Sequence, residues 1–251
     1  MIVSVSELTH RYGERTALDG ISFAVPEGRI FALLGPNGGG KSTLFRILST
    51  VMAPSAGRAT IANFDVASQP AQVRRLIGVV FQSQSLDRKL TVAENLRAQG
   101  HFHGLSGSTL HDRIADVTAR LHLADRTADI VEKLSGGLRR RVEIAKSLLH
   151  RPRVLLMDEP STGLDPAARR ELWQYIADLR SAENVTVMLT THILDEADRA
   201  DELVLLHQGR IVAAGTPAEL KARVGGDVVV LDAADPADLE AGIKSHFGVR
   251  T

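Results

Sequence analysis

The nine residues Gly35-Pro36-Asn37-Gly38-Gly39-Gly40-Lys41-Ser42-Thr43 constrain this chain more than any other stretch. Glycines so closely spaced let the backbone turn successive N–H groups to one side, which forms a concave nest for an anion. Just upstream, residues 30–34 are an apolar run of strand type. Just downstream, Leu44-Phe45-Arg46-Ile47-Leu48 has helical spacing. Strand, glycine loop and helix in that order fit the phosphate-loop pattern of glycine, four residues, then Gly-Lys-Ser/Thr. The helix starting near Lys41 would add free N–H donors and its dipole. Lys41 is expected to reach the β- and γ-phosphates, and the Ser42 hydroxyl to ligate Mg²⁺.

A second constellation is Val154-Leu155-Leu156-Met157-Asp158-Glu159-Pro160. An apolar run ending in two carboxylates reads as a buried strand delivering them to its C-terminal edge. Asp158 is expected to hold Mg²⁺, directly or through its water shell. Glu159 is placed to orient and deprotonate an attacking water. Alone, Asp-Glu at a strand end reads equally as a solvated turn; the phosphate loop upstream favours the chemistry. A third stretch, Leu134-Ser135-Gly136-Gly137-Leu138, precedes Val142, Ile144 and Leu148 at helical spacing, so Ser135 is expected to cap a helix.

Strands and helices alternate around these motifs. Val3, Val5 and Leu8 precede a turn at Gly13, and a strand at 21–25 ends before Pro26-Glu27-Gly28. From about 93 to 149 the pattern is helical, with Ile114, Val117 and Leu121 on one face. Strands return at 154–157 and 185–189, then as a hairpin of 203–206 with 211–214 across Gln208-Gly209. The expected fold is α/β: a P-loop NTPase core with a largely parallel sheet, an antiparallel β edge and an inserted helical subdomain at about 86–150. Residues 1–222 are expected to form the ATPase domain. Residues 223–251 read as a short accessory segment, with a strand at 227–231 and a helix from Asp235-Pro236 through Ile243.

Composition excludes several functions. Thirty basic residues balance thirty acidic ones, so no overall field draws the chain to nucleic acid. The absence of cysteine rules out disulfides and thiolate metal sites, and it fits the cytoplasm. The N-terminus lacks the basic opening and apolar stretch of a signal peptide. Apolar runs fall far short of the ~20 residues of a spanning helix, so work at a membrane would go through a partner.

Taken in order, Tyr12, GPNGGGKST at 35–43, Gln82, LSGGL at 134–138, LLMDEP at 155–160, STGLD at 161–165 and TTH at 190–192 resemble the ATP-binding cassette family over about residues 1–220. The resemblance implies ATP and Mg²⁺ as cofactors, and a second copy of the chain as partner in an ATP-dependent head-to-tail dimer. It implies that Tyr12 stacks on adenine and that Gly35, Pro36, Asn37, Gly38, Gly39, Gly40, Lys41, Ser42 and Thr43 hold the phosphates. Gln82 would touch the metal beside Ser42 and Asp158, and sense the partner. Ser135, Gly136 and Gly137 would bind the γ-phosphate of the other copy's ATP. Catalysis would fall to Glu159, Lys41 and His192, the last through the γ-phosphate, and Asp165 would lie on a loop crossing the dimer interface. Leu138 departs from the glutamine of many members, beyond the phosphate-contacting residues.

Residues 85–96, 136–141 and 192–198 look like those of the type-2 exporter ATPases, which handle drugs, antibiotics, polysaccharides or lipids. That implies a polytopic membrane permease as partner, a place on the cytoplasmic face of the membrane, and contact with the permease through 83–90 and neighbouring insert residues. The basic run Arg139, Arg140, Arg141 reads equally as a solvated helix face. A soluble cassette of iron–sulfur assembly and an importer subunit are the alternatives. No nucleic-acid partner is expected, since no coiled-coil heptads interrupt the chain.

Overall fold

The computed structural model describes residues 1–224. Residues Met1–Leu220 form one compact unit, and Lys221 onward belongs to a second. The accessory strand and helix expected at 227–231 and 235–243 lie outside the described residues.

The chain opens with β1 (Val3–Tyr12) and β2 (Arg15–Val25), paired antiparallel, with β1 buried on alternate positions. Next come β3 (Ile30–Leu34), α1 (Lys41–Leu48), β4 (Ala56–Ile61), β5 (Phe64–Asp65), α2 (Pro70–Leu76) and β6 (Ile77–Val80). A helical stretch follows: α3 (Val92–Phe102), α4 (Gly107–Arg120) and α5 (Gly136–Leu148). The chain then runs through β7 (Val154–Asp158), α6 (Pro166–Glu183), β8 (Thr186–Thr191), α7 (Leu194–Ala197), β9 (Glu202–His207), β10 (Arg210–Gly215) and α8 (Pro217–Val224).

These strands make two sheets. One is antiparallel, in the order β2-β1-β4-β5; the other runs β10-β9-β3-β8-β7-β6. In the larger sheet β9, β3, β8, β7 and β6 are mutually parallel, and only β10 runs against its neighbour. The expected parallel core and antiparallel edge are therefore present. What the sequence reading did not separate is the N-terminal sheet, whose strands pair among themselves. The β9–β10 hairpin turns through Gln208 and Gly209 at φ of 47° and 77°, the positive values that a two-residue primed turn needs.

The parallel sheet is covered on both faces, which explains why its strands are apolar throughout. Alternate residues serve different cores. Phe31 and Leu33 face a core shared with α1 and the antiparallel sheet, where Leu44, Phe45 and Ile47 meet Val5, Leu8 and Leu18. Ile30, Ala32 and Leu34 face the other core, built with α3–α6, where Leu96, Val117, Ile144 and Trp173 pack. Emptying one such position by a Leu→Ala change costs about 2–5 kcal/mol.

Helix α6, 18 residues long, went unread in the sequence although its start is well signalled. Asp165 accepts from the N–H groups of Ala167 and Ala168 at 2.9 Å, and Pro166 occupies the first helical position. Leu172, Trp173, Ile176 and Leu179 form its buried stripe.

Candidate nucleotide site

Parallel strands deliver their C-terminal ends to the same edge of a sheet, and ligands bind there. In this chain β3, β8, β7 and β6 are consecutive neighbours. Their ends carry the glycine loop, the stretch to His192, the Asp158-Glu159 pair and the segment leading to Gln82. Register fixes the arrangement: Leu34 lies opposite Thr191, Asp158 opposite Thr190, and Val80 opposite Met157.

The loop from Gly35 to Gly40 wraps back onto its surroundings with no room for side chains at key points. A Cβ on Gly35 would come within 2.1 Å of the Leu206 carbonyl oxygen. Gly40 sits at φ 108° as the residue before α1, and a Cβ there would meet the Ala17 carbonyl oxygen at 2.7 Å. These close approaches, more than loop flexibility, require the glycines. Lys41 is buried, and its Nζ donates to the carbonyls of Gly35 at 2.7 Å and Pro36 at 3.1 Å. Nζ also lies 3.8 Å from Glu159 Oε1. Burial lowers the Lys41 pKa from its ordinary value, opposed by the charges of Glu159 and Asp158.

Asp158 and Glu159 are 7% and 8% exposed. Burial raises the Asp158 pKa, while a hydrogen bond from Thr190 opposes the rise. The Thr190 hydroxyl donates to Asp158 Oδ1 at 2.6 Å and accepts from the Glu159 N–H at 2.9 Å, so one side chain fixes the Asp158 carboxylate and the Glu159 backbone. Glu159 adopts φ 44°, a left-handed conformation rare for a side-chain-bearing residue, which turns its carboxylate off the strand line. Four groups converge on that carboxylate. Gln82 Nε2 and the Thr162 hydroxyl donate to Oε2 at 3.3 Å each, while His192 Nδ1 lies 3.4 Å and Lys41 Nζ 3.8 Å from Oε1.

A cleft of about 420 Å³ opens over these groups. Its walls include Tyr12, Asn37, Gly38, Gly40, Lys41, Ser42, Thr43, Gln82 and Glu159, all singled out in the sequence. Tyr12, 44% exposed, stands at the end of β1 with its ring edge-on to His10 at 4.7 Å and its hydroxyl 3.3 Å from Met52 Sδ. Arg15 and Arg46 also line the cleft; no motif spacing flagged either one. With Lys41 and the N-terminus of α1 they make the cleft suited to an anion.

The signature residues stand apart from this cleft. Ser135 caps α5, its hydroxyl accepting from the Leu138 N–H at 3.2 Å, and Gly136 and Gly137 form the helix's exposed or half-exposed first turn. None of the three lines the cleft. Asp165 likewise caps α6 instead of entering it.

Of the two readings left open for Arg139, Arg140 and Arg141, the solvated face does not hold: Arg140 is 6% exposed and donates to the Phe81 carbonyl at 2.8 Å. Arg139 donates to the Leu134 carbonyl, and Arg141 pairs with Glu171. A charge run in sequence says nothing about which of its members faces inward; on a helix, successive residues point about 100° apart.

Fold and cleft together define a P-loop ATPase. The ABC transporter family model matches residues 18–162. The chain is 43% identical over 243 residues to the daunorubicin resistance ATP-binding protein DrrA2 of Streptomyces coeruleorubidus, covering 96% of this chain and 75% of that one. It is 43% identical over 230 residues to the Nod factor export ATP-binding protein I of Ralstonia nicotianae, covering 91% and 71%. Among solved structures, the dimeric post-hydrolysis cassette MJ0796 with ADP and phosphate superposes with a TM-score of 0.77 at 28% identity, covering 86% of this chain and 98% of that one. CbiO1 of Clostridium perfringens, part of the ABC transporter complex cbiONQ, gives 0.82 at 26% identity, covering 98% and 96%. The chain belongs to the ABC transporter family, as an ATP-binding and ATP-hydrolysing subunit.

Proposed function

We propose that this subunit powers export through a separate membrane permease, by closing on a second copy of itself around ATP and reopening after hydrolysis. The observation that carries the mechanism is the convergence of Gln82, Thr162, His192 and Lys41 on the Glu159 carboxylate at the edge of the anion-binding cleft. Lys41 and the loop N–H groups bind the phosphates, and Tyr12 stacks on the base. Glu159, held by its backbone bond to Thr190, takes a proton from the attacking water. His192, beside that carboxylate, is placed to touch the γ-phosphate.

Ser42, Gln82 and Asp158 offer hydroxyl, amide and carboxylate oxygens, the hard donors that suit Mg²⁺. Burial leaves the Asp158 charge poorly solvated, an environment that a cation would relieve. Among the described residues no three His, Asp or Glu side chains cluster as a metal cage, in keeping with an ion held by few protein groups and the nucleotide. When bound, Mg²⁺ would neutralise charge on the phosphates.

Ser135, Gly136 and Gly137, away from the cleft at a helix N-terminus, are suited to a γ-phosphate brought by the partner copy. Such a pair is isologous and two-fold. The relatives named for drug resistance and Nod factor export support the exporter branch over iron–sulfur assembly or import. No helix among the described residues is long and apolar enough to cross a membrane. The permease contact is assigned to 83–90 and neighbouring residues of the helical stretch, read as a subdomain of about 86–150 within the 1–222 cassette, on the cytoplasmic face.

Glu159→Gln should bind ATP yet turn over ~10²–10⁴-fold more slowly, as loss of a general base does. That variant should dimerise with Mg-ATP in light scattering, and adding Ser135→Arg should abolish dimerisation while monomer binding persists. A Ser135→Arg form that still dimerised would refute the composite site.

A further inference from the structure

The helix that Ser135 caps is fastened along its length to the segment that carries Gln82. Arg140, Glu143 and Lys146 recur every three residues and so share one side of α5. Arg140 Nη1 donates to the Phe81 carbonyl at 2.8 Å. Glu143 Oε1 accepts from the Ser85 N–H at 2.5 Å and from its hydroxyl at 3.3 Å. Lys146 Nζ donates to the Ser85 carbonyl and meets its hydroxyl, each at 2.8 Å. Arg140 and Glu143, 6% and 3% exposed, face each other at 3.8 Å. From the other side, Asn95 on α3 accepts from the Asp87 N–H at 2.9 Å and donates to its carbonyl at 3.0 Å. The backbone from Phe81 to Asp87 is thus gripped by two helices.

Stability alone gives no reason for this choice of residues. Buried ions cost several kcal/mol each to desolvate, and an apolar contact of similar volume commonly stabilises as well. Directional bonds to backbone atoms at Phe81 and Ser85 instead fix one register between loop and helix. Gln82, between those two anchor points, donates to Glu159 at 3.3 Å. An unbroken line of contacts therefore joins the water-activating carboxylate to the serine that serves the other copy's nucleotide.

We propose that Arg140, Glu143 and Lys146 are positioning residues that make the site a chain holds and the site it completes for its partner close together. The proposal rests on the head-to-tail reading above. Movement of Gln82 toward Glu159 in one site carries α5, and with it Ser135, toward the opposite ATP. Hydrolysis is then cooperative in ATP, and the clamp is where that cooperativity resides.

The test uses the full chain with Glu143→Ala, Glu143→Gln and Lys146→Met, each alone and combined with Glu159→Gln. The hydrolysing forms give kcat, KM and the Hill coefficient for ATP. The Glu159→Gln forms give the ATP concentration at half-maximal dimerisation by light scattering, and nucleotide titration gives monomer affinity. For Glu143→Ala the dimerisation midpoint should rise about two- to thirty-fold, the range reached by residues that carry coupling. Its Hill coefficient should fall toward one, and kcat should drop with monomer ATP affinity unchanged. Lys146→Met should shift the same way by less, and Glu143→Gln, which keeps an acceptor for Ser85, should recover part of the loss. If Glu143→Ala does not fold, the two milder variants carry the comparison. Variants that lower the melting temperature yet keep the parental Hill coefficient and midpoint would overturn the proposal, as would a parental Hill coefficient of one. Absence of ATP-driven dimerisation in Glu159→Gln itself would instead overturn the head-to-tail reading, and the proposal with it.

Discussion

Replacing Thr190 with valine would keep side-chain volume and β-branching while deleting the hydroxyl that bonds both the Asp158 carboxylate and the Glu159 backbone N–H. Thr190 is fully buried at 0% exposure, so no water can substitute for the lost oxygen. Two bonds disappear: the donation to Asp158 at 2.6 Å and the acceptance from the Glu159 N–H at 2.9 Å. A bond to an ionised group contributes about 1.5–3 kcal/mol, and an orphaned buried N–H costs about 1–3 kcal/mol. One oxygen carries both, so the joint loss should be about 3–5 kcal/mol, a large part of the ~5–15 kcal/mol that holds a domain together.

Function should suffer separately. The Glu159 backbone sits at φ 44°, and the Thr190 bond is one of its restraints; the Thr162 N–H, donating to the Glu159 carbonyl at 3.1 Å, is another. With the first gone, the carboxylate loses its fixed aim, and misplacement by ~1 Å costs ~10²-fold in rate. ATP affinity, which the proposed function gives to Lys41 and the glycine loop, should change little. Urea unfolding, steady-state ATPase and nucleotide titration measure the three quantities, and Thr190→Ser, which restores a hydroxyl, should recover most of both losses. A valine variant within about 0.5 kcal/mol of the parent, the scatter of an inconsequential substitution, and turning over at the parental rate would refute the reasoning.

Lys41→Ala should abolish ATP binding in a nucleotide titration, since among the described residues no other cationic side chain is buried beside the loop carbonyls; affinity close to the parent's would reassign the phosphate contact. Gly40→Ala should lose ATP binding and destabilise the fold by ~2 kcal/mol or more, because its φ of 108° and the Ala17 oxygen at 2.7 Å leave no place for a methyl group. His150 predicts an acid weakness. Burial and the His103 ring stacked on it at 3.8 Å lower its pKa to about 4 from the ordinary 6.5, so the unfolded chain binds the extra proton between those values and stability should fall as pH drops through that window, by at most about 3 kcal/mol. His150→Asn, keeping a donor for the Ile77 carbonyl, should flatten the stability–pH curve of chemical denaturation over that window; curves that stay parallel would clear His150.

The strands and loops at the site were legible because their physics is local. An apolar run followed by Asp158-Glu159, or by Gly35, carries its strand and its stop within a few residues. Asn37, Gly38, Gly40, Lys41, Ser42, Thr43 and Glu159 were named from such runs, Tyr12 and Gln82 only through the family resemblance, and the structure brings all nine to one cleft. Arg15 and Arg46 were not, since their place depends on β2 and α1 crossing the cleft, a fact of tertiary packing. Thr190 was quoted only as part of a motif. Its bonds to Asp158 and Glu159 follow from the parallel pairing of β8 with β7, which no spacing along the chain encodes. Likewise Arg140 turns inward to the Phe81 carbonyl, a contact between distant segments that left the basic run open to either reading in the sequence.

The same contrast explains where this fold places its buried polar groups. Apart from the clamp, many gather at and beyond the ends of β7 and β8, where the carboxylates and hydroxyls bond to one another. Glu196 on α7, 2% exposed, accepts from the hydroxyls of Ser161 and of Thr191, the latter at 2.7 Å, while Arg169 Nε lies 3.7 Å away. Thr191 in turn accepts from the Ile193 N–H at 3.0 Å. Ser161 begins the stretch that leads to Asp165, and Thr191 directly precedes His192. One buried carboxylate thus ties the two segments flanking Glu159 to each other, as Thr190 ties Asp158 to Glu159. Arg169 Nε itself makes no hydrogen bond, but the bonds among Glu196, Ser161 and Thr191 make this part stiff, because breaking any of them strands a charge or dipole in a low-dielectric interior. Hydrolysis needs that stiffness: a carboxylate that must meet one water beside one phosphate gains rate from a fixed position. Glu196→Gln should therefore slow turnover in a steady-state ATPase assay more than it weakens ATP binding in a nucleotide titration, since Lys41 and the glycine loop, the proposed phosphate contacts, follow a different strand.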